Sequence, residues 1–473
     1  MKQGNTLSDR INNSLGKAQN RQNFRSAMSG LMEKRAAQFP DDEKLAKLRD
    51  RGREIRANSL RNLPYLLIEL EKTLTENGIQ VHWANNSFEA NQIIVCLLQQ
   101  NDAKSVVKGK SMVSEEIELN SFLEGHGISV LESDLGEFII QLADETPSHI
   151  IMPAIHKTKK EIAELLHEHF PELPYTEDVD QLTQSARKIL RNKFNQADAG
   201  ISGVNFAVAE TGTLCLVENE GNGGMSSTVP PLHIAITGIE KVVEKLADVP
   251  PLLNLLTKSA TGQTITTYFN MISRPRQPGE KDGPEAVHLV LLDNGRSKIY
   301  GNSSLQEILH CIRCGSCINH CPVYVQLGGH AYGTVYPGPI GCALEPMRLG
   351  INKVGGLTSL CTLCGACEQV CPVQIPLPKL INRLRAESVL RRADYTSLIG
   401  AGSMRKPLES WGWRIWKWIY RNPAIYRVFS LIVTRTRELI PARMGRWARY
   451  RFNPKPARRT MHELAREAGF DNE

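Results

Sequence analysis

The chain has 473 residues, with 57 Lys and Arg against 50 Asp and Glu and a formal net charge of +7. That length gives room for two or three domains and a sizeable core. No apolar run reaches the length of about 18 residues that a membrane-spanning helix needs, and residues 1–40 lack the apolar stretch of a secretory leader. The cytoplasm is therefore the expected compartment.

Residues 1–60 read as a helical arm, charged on most faces from Glu43 to Arg56 and poor in large apolar residues. Such a segment is solvated or lies across a neighbour. From residue 61 the pattern changes: Leu66, Leu70 and Leu74 predict a helix over Asn62–Thr75, and Ile79–Trp83 alternates as a strand does. Further strands are expected at Ser105–Val107, Ile128–Leu131, His149–Met152, Gly203–Ala209, Leu214–Val217, Leu232–Ile236 and Val287–Leu292. Helices are expected at Glu115–Leu123, Lys159–His169, Asp180–Asn195 and Glu240–Ala247. The alternation predicts an α/β domain over residues 61–300 with a largely parallel sheet, whose ligands bind beyond the carboxyl ends of the strands.

Three polar loops fall in that domain. In the first, Gly109, Lys110 and Ser111 look like the end of a P-loop, but the earlier glycine that motif requires is replaced by Lys104, which rules out nucleotide triphosphate binding. Ser114 is the expected helix cap, with Glu115 and Glu116 opposing the helix dipole. The second loop, Glu210 to Thr213, reads as a hairpin turn. The third runs from Glu218 through Gly221, Gly223 and Gly224 to Ser226 and Ser227. It is either a cradle for a carboxylate or phosphate, or a flexible loop.

Between Cys311 and Pro372 the pattern C-x-x-C-x-x-C-x-x-x-C-P occurs twice, as Cys311, Cys314, Cys317, Cys321 and as Cys361, Cys364, Cys367, Cys371. Three closely spaced thiolates hold three corners of a [4Fe-4S] cubane, and in two-cluster ferredoxins the fourth cysteine ligates the other cluster. The expected sets are therefore crossed: Cys311, Cys314, Cys317 and Cys371 for one cluster, Cys361, Cys364, Cys367 and Cys321 for the other. Structural zinc uses two separated C-x-x-C knuckles instead. Gly315 and Gly365 allow backbone N–H groups to turn towards sulfur. His310 and His320 read as polar neighbours, and Cys342 as a spectator thiol. A short helix at Leu305–Ile308 leads into this domain, placed at residues 301–392, and a helix over Leu380–Arg392 closes it.

The tail, residues 393–473, is basic: from Ala401 to Thr460 fifteen Lys or Arg face two Glu. Trp411, Trp413, Trp416, Trp418 and Tyr420 interleave with Arg414, Lys417 and Arg421. An aromatic and basic amphipathic element suits a membrane surface, and equally an interface with a partner protein. No nucleic-acid motif accompanies the charge.

The segments KSMVSEEIELN from Lys110, VLESDLGEFI from Val130, HIIMPAIH from His149 and GVNFAVAETGTL from Gly203, with the glycine-rich stretch from Glu218, resemble the LUD domain. Together with the paired cysteine motif and the basic tail, the order resembles the iron-sulfur subunit, or B component, of bacterial L-lactate utilisation systems. The resemblance implies a fold shared with ribose-5-phosphate isomerase, glucosamine-phosphate isomerase and CoA-transferases, followed by an α-helical ferredoxin-type domain and a helical tail. It implies a component of a three-protein complex that oxidises L-lactate to pyruvate, an L-lactate dehydrogenase-type oxidoreductase, through two [4Fe-4S] clusters. Its expected companions are a cysteine-rich subunit and a second LUD-domain protein, and the tail docks a partner or the inner face of the membrane. No catalytic residue follows; Glu116, Glu210 and Glu218 are acidic candidates only. Two rival readings remain, a scaffold or electron-transfer subunit of another dehydrogenase that binds no substrate, and a LUD-domain isomerase or acyl-transferase with regulatory clusters.

Overall fold

The apolar runs between residues 80 and 292 form ten strands among the residues that the computed structural model describes, which are 6–389, 406–441 and 452–470. They are β1 (Gln80–Ala84), β2 (Ser105–Lys108), β3 (Ser129–Glu132), β4 (Ala199–Gly203), β5 (Phe206–Val208), β6 (Thr213–Glu218), β7 (Leu232–Gly238), β8 (Val242–Val243), β9 (Tyr268–Ile272) and β10 (Ala286–Leu292). Six of them make a parallel sheet in the order β1-β10-β7-β4-β2-β3. Its central strands are mostly apolar because a parallel sheet is covered on both faces, though Ser202, His233, Thr237 and His288 are buried in them as well. β7 is buried at every residue, and Ile234 lies opposite Ile201 of β4. The other four strands form a second sheet, β8-β5-β6-β9.

All six parallel strands end on one edge, so Lys108, Glu132, Gly238 and Leu292 deliver their following loops to the same side. The crossover helices are capped by sequence: Thr158 and Glu161 close a capping box on the helix Lys159–His169, and Asp178 caps Val179–Gln196.

Several expectations need correction. His149–Met152 is a turn, not a strand, because the His149 Nδ1 accepts from the N–H groups of Ile151 and Met152 at 3.0 and 3.2 Å and folds the chain back. Glu240–Ala247 is not a helix; short 3-10 turns flank the two-residue strand β8, which pairs with β5. Gly203–Ala209 divides between β4 and β5, which belong to different sheets. The helix expected over Glu115–Leu123 breaks at Glu118, whose φ is +52°. Ser111, not Ser114, caps the first of its pieces.

The N-terminal arm comprises α1 (Leu7–Gly16), α2 (Ala18–Gln38) and α3 (Asp42–Arg61). Its few large apolar residues are spent on packing: Phe24, Met28, Leu31, Ile55 and Leu60 are buried in the core shared by the strands and the cysteine segment. At Gly52 a Cβ would stand 2.4 Å from Leu255 Cδ1, so a larger residue there obliges the buried Leu255 side chain to shift. The arm also clasps the second cysteine copy, with Arg49 Nε donating to the Cys371 carbonyl at 2.9 Å and Arg35 Nη2 to that of Val370 at 3.3 Å.

The helix expected over Leu380–Arg392 is Leu377–Ser388; residues 390–392 and the boundary at 392 lie outside the described residues, as do 393–405 and 442–451. Residues 406–470 belong to a separate unit. In it the helices Pro407–Arg421 and Pro423–Arg435 are interrupted at Asn422, since the residue before proline avoids helical backbone. Trp416 stacks on Tyr420 at 4.6 Å and meets the edge of Phe429 at 6.0 Å, while Trp411, Trp413 and Trp418 stay exposed. Among the described residues no helix is long and apolar enough to cross a membrane.

Candidate iron-sulfur centre

The two cysteine copies share one backbone course. In each, the residue two positions after the first cysteine is left-handed, Arg313 at φ +61° and Leu363 at +56°. The glycine after the second cysteine is left-handed as well, Gly315 at +73° and Gly365 at +85°, and a one-turn helix follows. These turns point backbone N–H groups at sulfur: Arg313 donates to Cys311 Sγ at 3.4 Å and Leu363 to Cys361 Sγ at 3.3 Å. The glycines were legible as turn residues. Arg313 and Leu363 were not, because left-handed backbone carries no signal in side chains of that kind.

Two cavities are lined by cysteine. One is bounded by Cys311, Cys314, Cys317 and Cys371, under Ile150, Ile312, Ile340 and Val373. The other is bounded by Cys361, Cys364, Cys367 and Cys321, with Tyr332, Pro339, Cys342 and Leu360. In both, three cysteines come from one copy and the fourth from the other.

The donor set suits a strongly cationic group. Burial pushes the Cys367 thiol up to about 12 and Cys371 up to about 11, with neighbouring sulfurs adding to it, and Cys314, Cys317 and Cys321 are also raised. Thiolates form readily here only when a metal group replaces their protons. Cys342 is buried beside the second cavity, its thiol raised by burial and by Cys321 and Cys361. His310 is pushed down to about 4 by burial and the nearby Arg56, and His320 Nδ1 lies 2.9 Å from the Ser316 carbonyl oxygen.

A buried polar network joins the first cysteine loop to the carboxyl edge of the parallel sheet. Arg313 Nη2 reaches Glu240 Oε1 at 3.3 Å, and its guanidinium lies 4.8 Å from the Tyr336 ring centre. Arg296 bridges Glu240 Oε2 at 2.5 Å and Glu116 Oε1 at 2.7 Å, and the Tyr336 hydroxyl donates to Glu116 at 2.7 Å. Arg56 donates to the carbonyls of Val242, Leu309, His310 and Glu240. Burial works against ionisation of Glu116, yet Arg296 and Arg348 hold it down at about 2. Sequence reading singled out Glu116 but missed Arg296, Glu240 and Tyr336, which lie far from it along the chain.

Three family models cover most of the sequence: the LUD domain at residues 67–292, the 4Fe-4S dicluster domain at 307–375, and the C-terminal region of lactate utilisation protein B at 383–470. Lactate utilization protein B of Bacillus velezensis is 44% identical over 371 residues, 77% of this chain and 78% of that protein. This chain belongs to the lactate utilization protein B family. The Bacillus subtilis member is 43% identical over 77% of each chain. An uncharacterized electron transport protein of Escherichia coli is 46% identical over 71% of this chain and 70% of its own.

In this member of the lactate utilization protein B family, all three acidic candidates are engaged internally. Glu116 is held by Arg296 and Tyr336. Glu210 accepts from the Leu246 N–H at 2.9 Å. Glu218 accepts from Gly223, from Gly224 at 2.7 Å and from Asn270 Nδ2 at 2.6 Å. The glycine-rich loop does cradle a carboxylate, and that carboxylate is the chain's own Glu218.

Proposed function

We propose that this chain relays electrons within a complex that oxidises L-lactate to pyruvate. Cys311, Cys314, Cys317 and Cys371 hold one [4Fe-4S] cluster, and Cys361, Cys364, Cys367 and Cys321 hold the second. When bound, each cluster takes up and passes on one electron at a time, so the pair accommodates the two electrons released per lactate. The observation that carries this reading is the pair of cysteine-lined cavities, each bringing three cysteines of one copy together with the fourth of the other.

The chain's own residues shape the two sites differently. Arg313 and Arg56 bring positive charge towards Cys311, whereas Tyr332, Pro339 and Leu360 surround the second cavity. Ile150, on the turn fixed by His149, shields the first cavity from water. Cys364 is exposed, and this favours the second site as the one that meets an external electron partner.

Engagement of Glu116, Glu210 and Glu218 in internal hydrogen bonds favours lactate chemistry in a companion, with this chain as the wire. The companions in this reading are a cysteine-rich subunit and a second LUD-domain protein. The complex is cytoplasmic, and the Trp and Arg face of Pro407–Arg421 rests on the inner membrane surface. The test is anaerobic: the clusters are reconstituted, L-lactate is added to the chain alone and then with its neighbouring gene products, and reduction is followed by EPR. Reduction only with the companions is expected. No reduction in either mixture, with intact clusters, overturns the lactate assignment.

A further inference from the structure

Strands β2 and β3 end side by side on Lys108 and Glu132, both fully buried. Lys108 Nζ donates to Ser114 Oγ at 2.9 Å, and lies 2.9 Å from Glu115 Oε1 and 2.8 Å from Glu132 Oε1. Glu137 comes from the next helix, Leu135–Leu142, and carboxylate oxygens of Glu115, Glu132 and Glu137 lie within 4.8 Å of one another. Lys108 pairs directly with two of the three carboxylates, and Lys110, the other cation acting on Glu137, gives its Nζ to the Ile151 carbonyl, so the cluster carries an excess of negative charge.

The oxygens show where the imbalance sits. Glu132 Oε1 receives Lys108 and the Asn120 amide, the latter at 2.6 Å. Glu132 Oε2 and Glu137 Oε1 are buried and accept no hydrogen bond. A buried carboxylate oxygen without a partner is costly, and two in one cluster point to a group that satisfies both. Burial raises Glu132 and Glu137 above the usual carboxylate range, and the neighbouring carboxylate of Glu115 adds to it. A proton on Glu137 removes one charge, whereas a divalent cation ligated by all three side chains offsets the whole excess of negative charge in the cluster.

We infer that Glu115, Glu132 and Glu137 bind a divalent cation at the carboxyl edge of the parallel sheet, beside the fixed charge of Lys108. An all-oxygen set of carboxylates selects a hard ion, Mg²⁺, Ca²⁺ or Mn²⁺, over zinc or copper. The ion ties the helix Met112–Glu116, strand β3 and the helix Leu135–Leu142 into one rigid corner. This site is independent of the cysteines and of the lactate reading.

Mn²⁺ is the probe. The full-length, cluster-loaded chain is dialysed against graded MnCl₂, and bound manganese is measured by elemental analysis and by loss of the free Mn²⁺ EPR signal with the clusters oxidised. One Mn²⁺ per chain is expected, displaced by Mg²⁺ or Ca²⁺ and weakened about tenfold or more in E137Q and E132Q. K108M keeps all three carboxylates and removes the competing cation, so it is expected to bind Mn²⁺ more tightly. Absence of binding in both the natural chain and K108M overturns the inference, as does binding that E137Q and E132Q leave unchanged. An infrared band of protonated carboxyl that vanishes in E137Q, with no metal bound, also overturns it by assigning the charge balance to protons.

Discussion

Arg313 and Glu240 meet at 3.3 Å, and through that contact the first cysteine loop is fastened to the segment leaving strand β7. Glu240 also holds Arg296, and its backbone carbonyl accepts from Arg56. One carboxylate therefore compensates two buried guanidiniums, directly behind the cavity lined by Cys311.

Removing that carboxylate strands buried cations, and breaking a buried pair in this way costs about 3–5 kcal/mol. E240A is expected to lower the unfolding free energy by that amount, seen as a lower urea midpoint, and to release iron from the first site before the second. E240Q, which keeps hydrogen-bond acceptance, should lose less. Urea titration followed by circular dichroism, with iron counted at each step, checks this; an unchanged midpoint in E240A contradicts it.

The crossed sets give a second outcome. C371S is expected to damage the cluster held by Cys311, Cys314 and Cys317, and C321S the one held by Cys361, Cys364 and Cys367. EPR of the reduced variants distinguishes the two sites. Loss confined to the cluster of the mutated copy would rule out the crossing.

Acid should loosen the cover of the first cavity. His149 and His233 are buried and held neutral, their folded pKa pushed down to about 4 by burial. Between that value and the ordinary one of about 6.5 the unfolded chain binds protons that the folded chain refuses. Their contribution is intact above about pH 6.5 and is lost as pH falls through the window towards about 4. Protonating His149 at Nδ1 also breaks its bonds from Ile151 and Met152. The thermal midpoint is expected to be lower at about pH 5 than at about pH 7.5, with faster bleaching of the clusters in air. Equal midpoints at the two pH values count against it.

The tail offers a test without clusters. If Pro407–Arg421 rests on an anionic surface, each basic residue contributes about 1 kcal/mol. Replacing Arg414, Lys417 and Arg421 by Ala should weaken sedimentation with phosphatidylglycerol vesicles about fivefold per residue. Neutral vesicles should show little binding at all. Binding to neither kind of vesicle sinks the membrane reading and favours a protein partner for the exposed tryptophans; equal binding to both contradicts the role given to the basic residues.

The sequence alone determined the elements whose signal is local. Apolar runs marked most strands of the parallel sheet, because strands buried on both faces need mostly apolar side chains. Cysteine spacing set out the two copies, and a proline after each fourth cysteine pointed that residue away. Where local signal was weak the reading failed: Ala199–Gly203 is a central strand of small residues, and the backbone of His149–Met152 is bent by a side chain. Only the tertiary structure decided what lies behind the cysteines. Arg56, Glu116, Glu240, Arg296 and Tyr336 come from five separate segments, and none is unusual where it stands. Glu116, Glu240 and Arg296 meet because the parallel sheet ends all its strands on one side, while the N-terminal arm brings Arg56 and the segment between the cysteine copies brings Tyr336 to the same place, where each buried charge must find its partner.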